Sequence, residues 1–221
     1  MQRRSFFKAA GVTMAATTLV LAGCGDDDPE PAPATESVLT LGGTDDNGIL
    51  NYAYLLAQLE AAFYTKVVAA PPADLQPGEL AYLTDLRDHE LIHREYLKFV
   101  LGTNRYDNSL PTPFEFDFST FTLTTRTGVW TAAQLLEDAG AAAYNGAGKL
   151  LTVSTNLVAL SKIASVESRH AALAHEMLQS DSFASTVGAD GLDSAKTPVE
   201  ILELLRPYFP VTISAAALPT T

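Results

Sequence analysis

The sequence is short of three things, and each shortage excludes a class of protein. It has a single cysteine, Cys24, in 221 residues, so no disulfide can form within the chain and stability has to come from a packed core. Cations are scarce: 14 Lys+Arg stand against 26 Asp+Glu, a formal net charge of −12. A surface that acidic is mismatched to nucleic acid and to anionic lipid headgroups, both of which demand Lys/Arg footprints, and nucleic acid is excluded as a partner. The short motifs of common chemistries are also missing, with no phosphate loop, no catalytic-triad signature and no zinc-type Cys/His spacing. What remains is 47% hydrophobic residues, enough for one sizeable core and short of a second domain.

The first 24 residues read as an address. Arg3-Arg4-Ser5-Phe6-Phe7-Lys8 precedes a mildly apolar run from Ala9 to Gly23. At about 15 residues that run is short of the roughly 20 that a spanning helix needs. Paired arginines with an aromatic two positions on resemble a twin-arginine export signal. Leu21-Ala22-Gly23-Cys24 resembles a bacterial lipobox, whose cysteine is acylated and whose chain is cut just before it. These resemblances imply a signal peptide over residues 1–23, export of the folded protein, and a lipid anchor at Cys24. The domain would then face the periplasm or the cell exterior, held by acyl chains worth about 0.8 kcal/mol per buried CH₂. Losing Arg3, Arg4 and Lys8 with the signal would take the charge from −12 to −15. Residues 24–43, acidic and Pro-rich, read as an extended tether, and the Asp26-Asp27-Asp28 run as solvated charge.

From residue 44 to 180 the pattern is that of an all-α protein, in four long helical blocks. The first runs from about Asn47 to Ala70 and stops at Pro71-Pro72. The second follows Pro77-Gly78 and ends at Leu101-Gly102. The third is expected from Thr131, with Gln134 completing a capping box, to about Leu151. The fourth is expected from the Ser154-Thr155 turn to about Gln179. Short links make two antiparallel hairpins. Thr103 to Trp130, with Phe114, Phe116, Phe118 and Phe121, reads as a long crossover packed along the bundle, which lets the third helix run parallel to the second. Residues 181–221 form a C-terminal extension with a short helix over 198–206, capped by Thr197 and Glu200.

In heptad a/d steps the four apolar seams are each broken once by an acid, at Glu60, Glu90, Glu137 and Glu167. One unpaired carboxylate in a core costs several kcal/mol, and four together repel strongly unless cations lie among them. His93 and His170 follow Glu90 and Glu167 at i+3, about 60° around the helix and one turn along, so a carboxylate and an imidazole can share one ion. Composition alone gives about 0.2 Glu-x-x-His pairs in such a chain; two are present, at the same seam position. Glu60 to Glu137 and Glu90 to Glu167 are both 77 residues, so the second hairpin repeats the first in register. The alternative is that these are buried polar pairs that fix helix register without metal.

These residues, with the words Leu59-Glu60-Ala61-Ala62-Phe63-Tyr64 and Glu167-Ser168-Arg169-His170-Ala171-Ala172, resemble the ferritin-like domain of exported bacterial proteins and plant desiccation-related proteins. The resemblance implies a ferritin-like four-helix bundle and two divalent metal ions, iron or manganese. Glu60 and Glu137 would be terminal ligands, Glu90 and Glu167 bridging ones, and His93 and His170 one nitrogen ligand per ion. The fold transfers more readily than any activity, but two such ions sharing carboxylates can pass two electrons to an oxidant, so the expected activity is Fe(II) oxidation or reduction of peroxide or dioxygen, with small oxidants as partners. The other reading is a non-catalytic, metal-stabilised structural or stress-protection module. Tyr64, one turn from Glu60, and Tyr144, on the seam of Glu137, are placed to hydrogen-bond a ligand carboxylate or to fill the core. By helical phase, His89 and His175 belong at the surface or beside the ligands, and Glu95 and Glu176 in solvent.

Overall fold

A computed structural model describes residues 38–110 and 112–220. The stretch read above as an export signal, Cys24, and the expected tether as far as Ser37 lie outside the described residues. Four long helices carry the fold: α1 (Asp46–Ala69), α2 (Glu79–Leu101), α3 (Arg126–Ala147) and α4 (Ser154–Leu178), followed by a short α5 (Pro198–Leu205). Asp45 caps α1 by accepting the Asn47 N–H at 3.1 Å, and α1 ends where Pro71-Pro72 can no longer supply N–H groups. Gly78 and Gly102 bracket α2, both in left-handed backbone that glycine adopts without strain. The capping box at α5 forms between Thr197 and Glu200 as its sequence predicts.

The third helix differs from its prediction. It begins at Arg126, not Thr131, and stops at Ala147 before a 3₁₀ turn at Gly148–Leu150. Thr125 is the cap, accepting the Gly128 N–H at 3.1 Å, and tertiary contacts hold the added turn. The Arg126 guanidinium pairs with Glu79 at 2.5 Å and donates to the Met177 carbonyl at 2.6 Å. Three helix ends are thereby joined: the starts of α2 and α3 and the last turn of α4. At the opposite end, buried Asp46 accepts from Thr152 N–H and Oγ1, both at 2.8 Å, from Val153 N–H at 3.0 Å and from Asn156 Nδ2 at 2.9 Å. That joins the start of α1 to the start of α4. Burial opposes ionisation of Asp46, but these four donors outweigh it and hold its pKa below the usual value.

α1 packs along α2 and α3 along α4, as two hairpins whose inner members, α1 and α3, face each other. α1 and α3 are buried over most of their length, whereas α2 buries one residue in three or four. The crossover contains 3₁₀ turns at Gly102–Asn104 and Tyr106–Ser109 and then extends. Its phenylalanines form a chain of ring contacts, Phe114–Phe116–Phe118–Phe63, that seals the outer side of α1. Residues 38–43 are not all tether: β1 (Val38–Thr40) pairs in parallel with β2 (Thr212–Ser214) from the C-terminal extension. Two three-residue strands leave the class all-α, as expected.

Candidate metal centre

Halfway along the bundle each long helix turns one glutamate inward. Glu60, Glu90, Glu137 and Glu167 are all buried, as are His93 and His170. Donor atoms of Glu90, Glu137, Glu167 and His170 lie within 4.8 Å of one another, a spacing that could hold a metal ion. His93 Nδ1 lies 3.2 Å from Glu90 Oε2 and 3.0 Å from Glu167 Oε1. His170 Nδ1 lies 3.0 Å from Glu90 Oε1 and 3.5 Å from Glu137 Oε2. The two oxygens of Glu90 therefore face two different imidazoles.

Glu60 is admitted by a gap in the opposite helix. A Cβ at Gly140 would stand 2.5 Å from Glu60 Oε1 and 3.3 Å from Glu167 Oε2, closer than atoms pack, so only glycine leaves this carboxylate its place. The seam pattern contains Gly140 but gives it no role. The signal was available, because Gly140 is the 77-residue counterpart of the bulky Phe63. Glu60 and Glu167 both border Gly140, and His93 borders Glu90 and Glu167.

The electrostatics are those of a site built for cations. Burial, reinforced by Glu167, Glu90 and Glu137, pushes Glu60 well above the carboxylate range. Burial and the charge of Glu90 push Glu167 up to about 8. Burial would raise Glu90 too, but His170 and His93 hold it below its usual value. Burial works against protonating the histidines, yet the glutamates overcome it, lifting His93 to about 9 and His170 to about 11. The protons thus do the work that bound cations would otherwise do. Glu60 Oε2 and Glu167 Oε2 are buried with neither a hydrogen bond nor an ion pair, while Glu90 Oε1, Glu137 Oε2, Glu167 Oε1 and His170 Nδ1 meet only in His–Glu ion pairs of 3.0–3.5 Å. Carboxylate oxygens and imidazole nitrogens gathered in one buried space could serve a hard or borderline divalent ion.

The surrounding residues are placed as follows. The Tyr64 hydroxyl donates to Glu137 Oε1 at 2.5 Å, across to α3 rather than along α1 to Glu60. Burial and the charge of Glu137 hold the phenol far above its ordinary pKa, so it stays a donor. The Tyr144 hydroxyl reaches the Ala53 carbonyl at 3.5 Å, not a carboxylate. His89 is exposed, and its Nδ1 shares a 2.9 Å hydrogen bond with His170 Nε2. His175 is buried away from the cluster, between Asp138 at 3.0 Å and Ser185 Oγ at 3.3 Å. Glu95 is half exposed and paired with Arg94 and Lys98, and Glu176 accepts the Asp181 N–H at 3.3 Å.

Four antiparallel-hairpin helices with an inward glutamate each, and Glu-x-x-His on two of them, define a carboxylate-bundle protein. A family model described as a ferritin-like domain matches residues 45–180, and the chain belongs to that family. No curated protein matches it.

Proposed function

We propose that the chain is an exported, lipid-anchored protein that holds two divalent ions, iron or manganese, and uses them to oxidise Fe(II) or to reduce peroxide or dioxygen. The observation that carries this is the split allegiance of Glu90, each of whose oxygens faces a different histidine. Glu137 and His170 would hold one ion, Glu60 and His93 the other, with Glu90 and Glu167 shared. Four carboxylates balance two divalent charges, so the filled site is neutral, which a buried site requires. Bound there, a redox-active pair would supply two electrons to one oxidant. The chain's own part is positional. With Nδ1 of His170 given to an ion, its Nε2 carries the proton and donates to His89, fixing the tautomer. Tyr64 holds Glu137 by its hydroxyl.

The test is to load the full chain with Fe(II) or Mn(II) and measure bound metal, oxidant consumption and melting temperature together. Two ions per chain with turnover are expected; two ions, no turnover and a large rise in melting temperature would favour the structural module instead. The rise should also depend on pH. Without ions, the raised values of Glu167 (about 8), His93 (about 9) and His170 (about 11) give stability that is complete below each group's ordinary pKa and lost as pH rises through those values. Ions replace those protons, so loading should raise the melting temperature more at alkaline than at mildly acidic pH. A Cys24→Ser variant remaining in the membrane fraction would remove the lipid anchor from this reading.

A further inference from the structure

α2 and α4 face each other across an open seam. A cavity of about 380 Å³ occupies it, walled by Ile92, His93 and Tyr96 on one side and Val158, Lys162 and Val166 on the other. His93 is the point where the carboxylate cluster meets this cavity. Ile92 is 62% exposed and Val158 55% exposed, an apolar lining open to water in a chain of net charge −12. No Asp or Glu lines the cavity. Lys162 lines it and is exposed. Arg87, Arg94, Lys98, Arg105 and Arg126 have carboxylate partners, whereas Lys162, like several other lysines, forms no ion pair among the described residues. An unpaired ammonium beside an acid-free hydrocarbon slot is complementary to an anion with an apolar tail. At roughly 30 Å³ per water-sized group, the volume takes about a dozen heavy atoms.

We propose that this seam binds a medium-chain alkyl carboxylate, with the head group on Lys162 and the chain laid along Ile92, Val158 and Val166 toward His93. Binding as such needs no ion; only the placement of the chain beside an occupied centre rests on the function proposed above.

The experiment titrates decanoate, acetate and decanol calorimetrically into the full chain and into its Lys162→Glu and Val158→Glu variants, both at exposed positions. Saturable one-to-one binding of decanoate is expected, with none for acetate and about tenfold weaker binding for decanol. Lys162→Glu should cost decanoate about tenfold, a charge effect, and Val158→Glu should abolish binding. Equal affinity in all three proteins, or no saturable binding, overturns the proposal. So does a dimer that Ile92→Glu separates in the ultracentrifuge while decanoate fails to bind, since the seam would then be a contact between copies. Bound metal is measured in the same samples: an empty centre with an intact decanoate isotherm sinks the ion reading and leaves the pocket standing. In the Co(II)-loaded protein, decanoate should shift the visible absorption, and binding without any shift would overturn the placement beside His93.

Discussion

His93 and His170 occupy equivalent places in the 77-residue repeat and unlike places in the molecule. Behind His170 stands His89, sharing a hydrogen bond with its outer nitrogen; the counterpart of His89 in the other half is Val166, which lines the apolar cavity beside His93. Glu137 is held by the Tyr64 hydroxyl. The counterpart of Tyr64 is Ala141, so Glu60 has no such hydroxyl: its Oε1 lies against Gly140 and its Oε2 is left without a hydrogen-bond partner. The ligands repeat and their supports do not. A carboxylate fixed by a phenol and an imidazole fixed by a second imidazole make a rigid half; an unsupported carboxylate over a glycine and an imidazole on an apolar slot make an adaptable one. In the proposed centre, duplicated ligand chemistry with diverged surroundings would separate a retained ion from an exchangeable one.

Three variants break or sharpen that contrast. The largest effect is expected from Glu90→Ala, because both halves draw on this side chain: bound metal, measured by elemental analysis, should fall from two ions per chain to none. Gly140→Ala should separate the halves. Its methyl displaces only the end of a flexible side chain, so the helical signal should persist, while the Glu60 position is lost and metal falls to one ion per chain. Retention of two ions would deny that the glycine matters. Tyr64→Phe should do least, keeping both ions but loosening the rigid half. A hydrogen bond to a charged group is worth about 1.5–3 kcal/mol, so the first ion should bind roughly tenfold to a hundredfold more weakly in a chelator competition. If the weaker ion changes instead, Tyr64 supports the other half.

The acids and histidines were legible because burial and the 3.6-residue period act on each helix alone; the matched seams needed no tertiary knowledge. The start of α3 was less so. Thr125 and Thr131 are both plausible caps, and the choice between them is made by Arg126 reaching Glu79 and Met177, contacts about 50 residues distant in sequence. Non-local pairing also hid β1 and β2, which are too short to carry a periodic signal and pair residues 38–40 with residues 212–214 at the far end of the chain. Helical phase placed His89 off the seam, as it is, but phase gives a direction and no reach, and its ring extends to α4. Tyr64 shows the same limit: one turn from Glu60 along α1, its side chain crosses to the facing helix.

The Asp46 and Arg126 junctions sit at opposite tips of the bundle. The first ties α1 to α4 and the second ties α2 and α3 to α4, so α4 is held at both tips and α2 at one. The side chains along the α2–α4 seam, Ile92, Tyr96 and Val158 among them, are exposed. Rotamer exchange of exposed residues runs in picoseconds to nanoseconds, against microseconds or longer for collective rearrangement. Access along this seam to an occupied centre would be paced by a few hydrocarbon groups rather than by the stiffness of the whole frame.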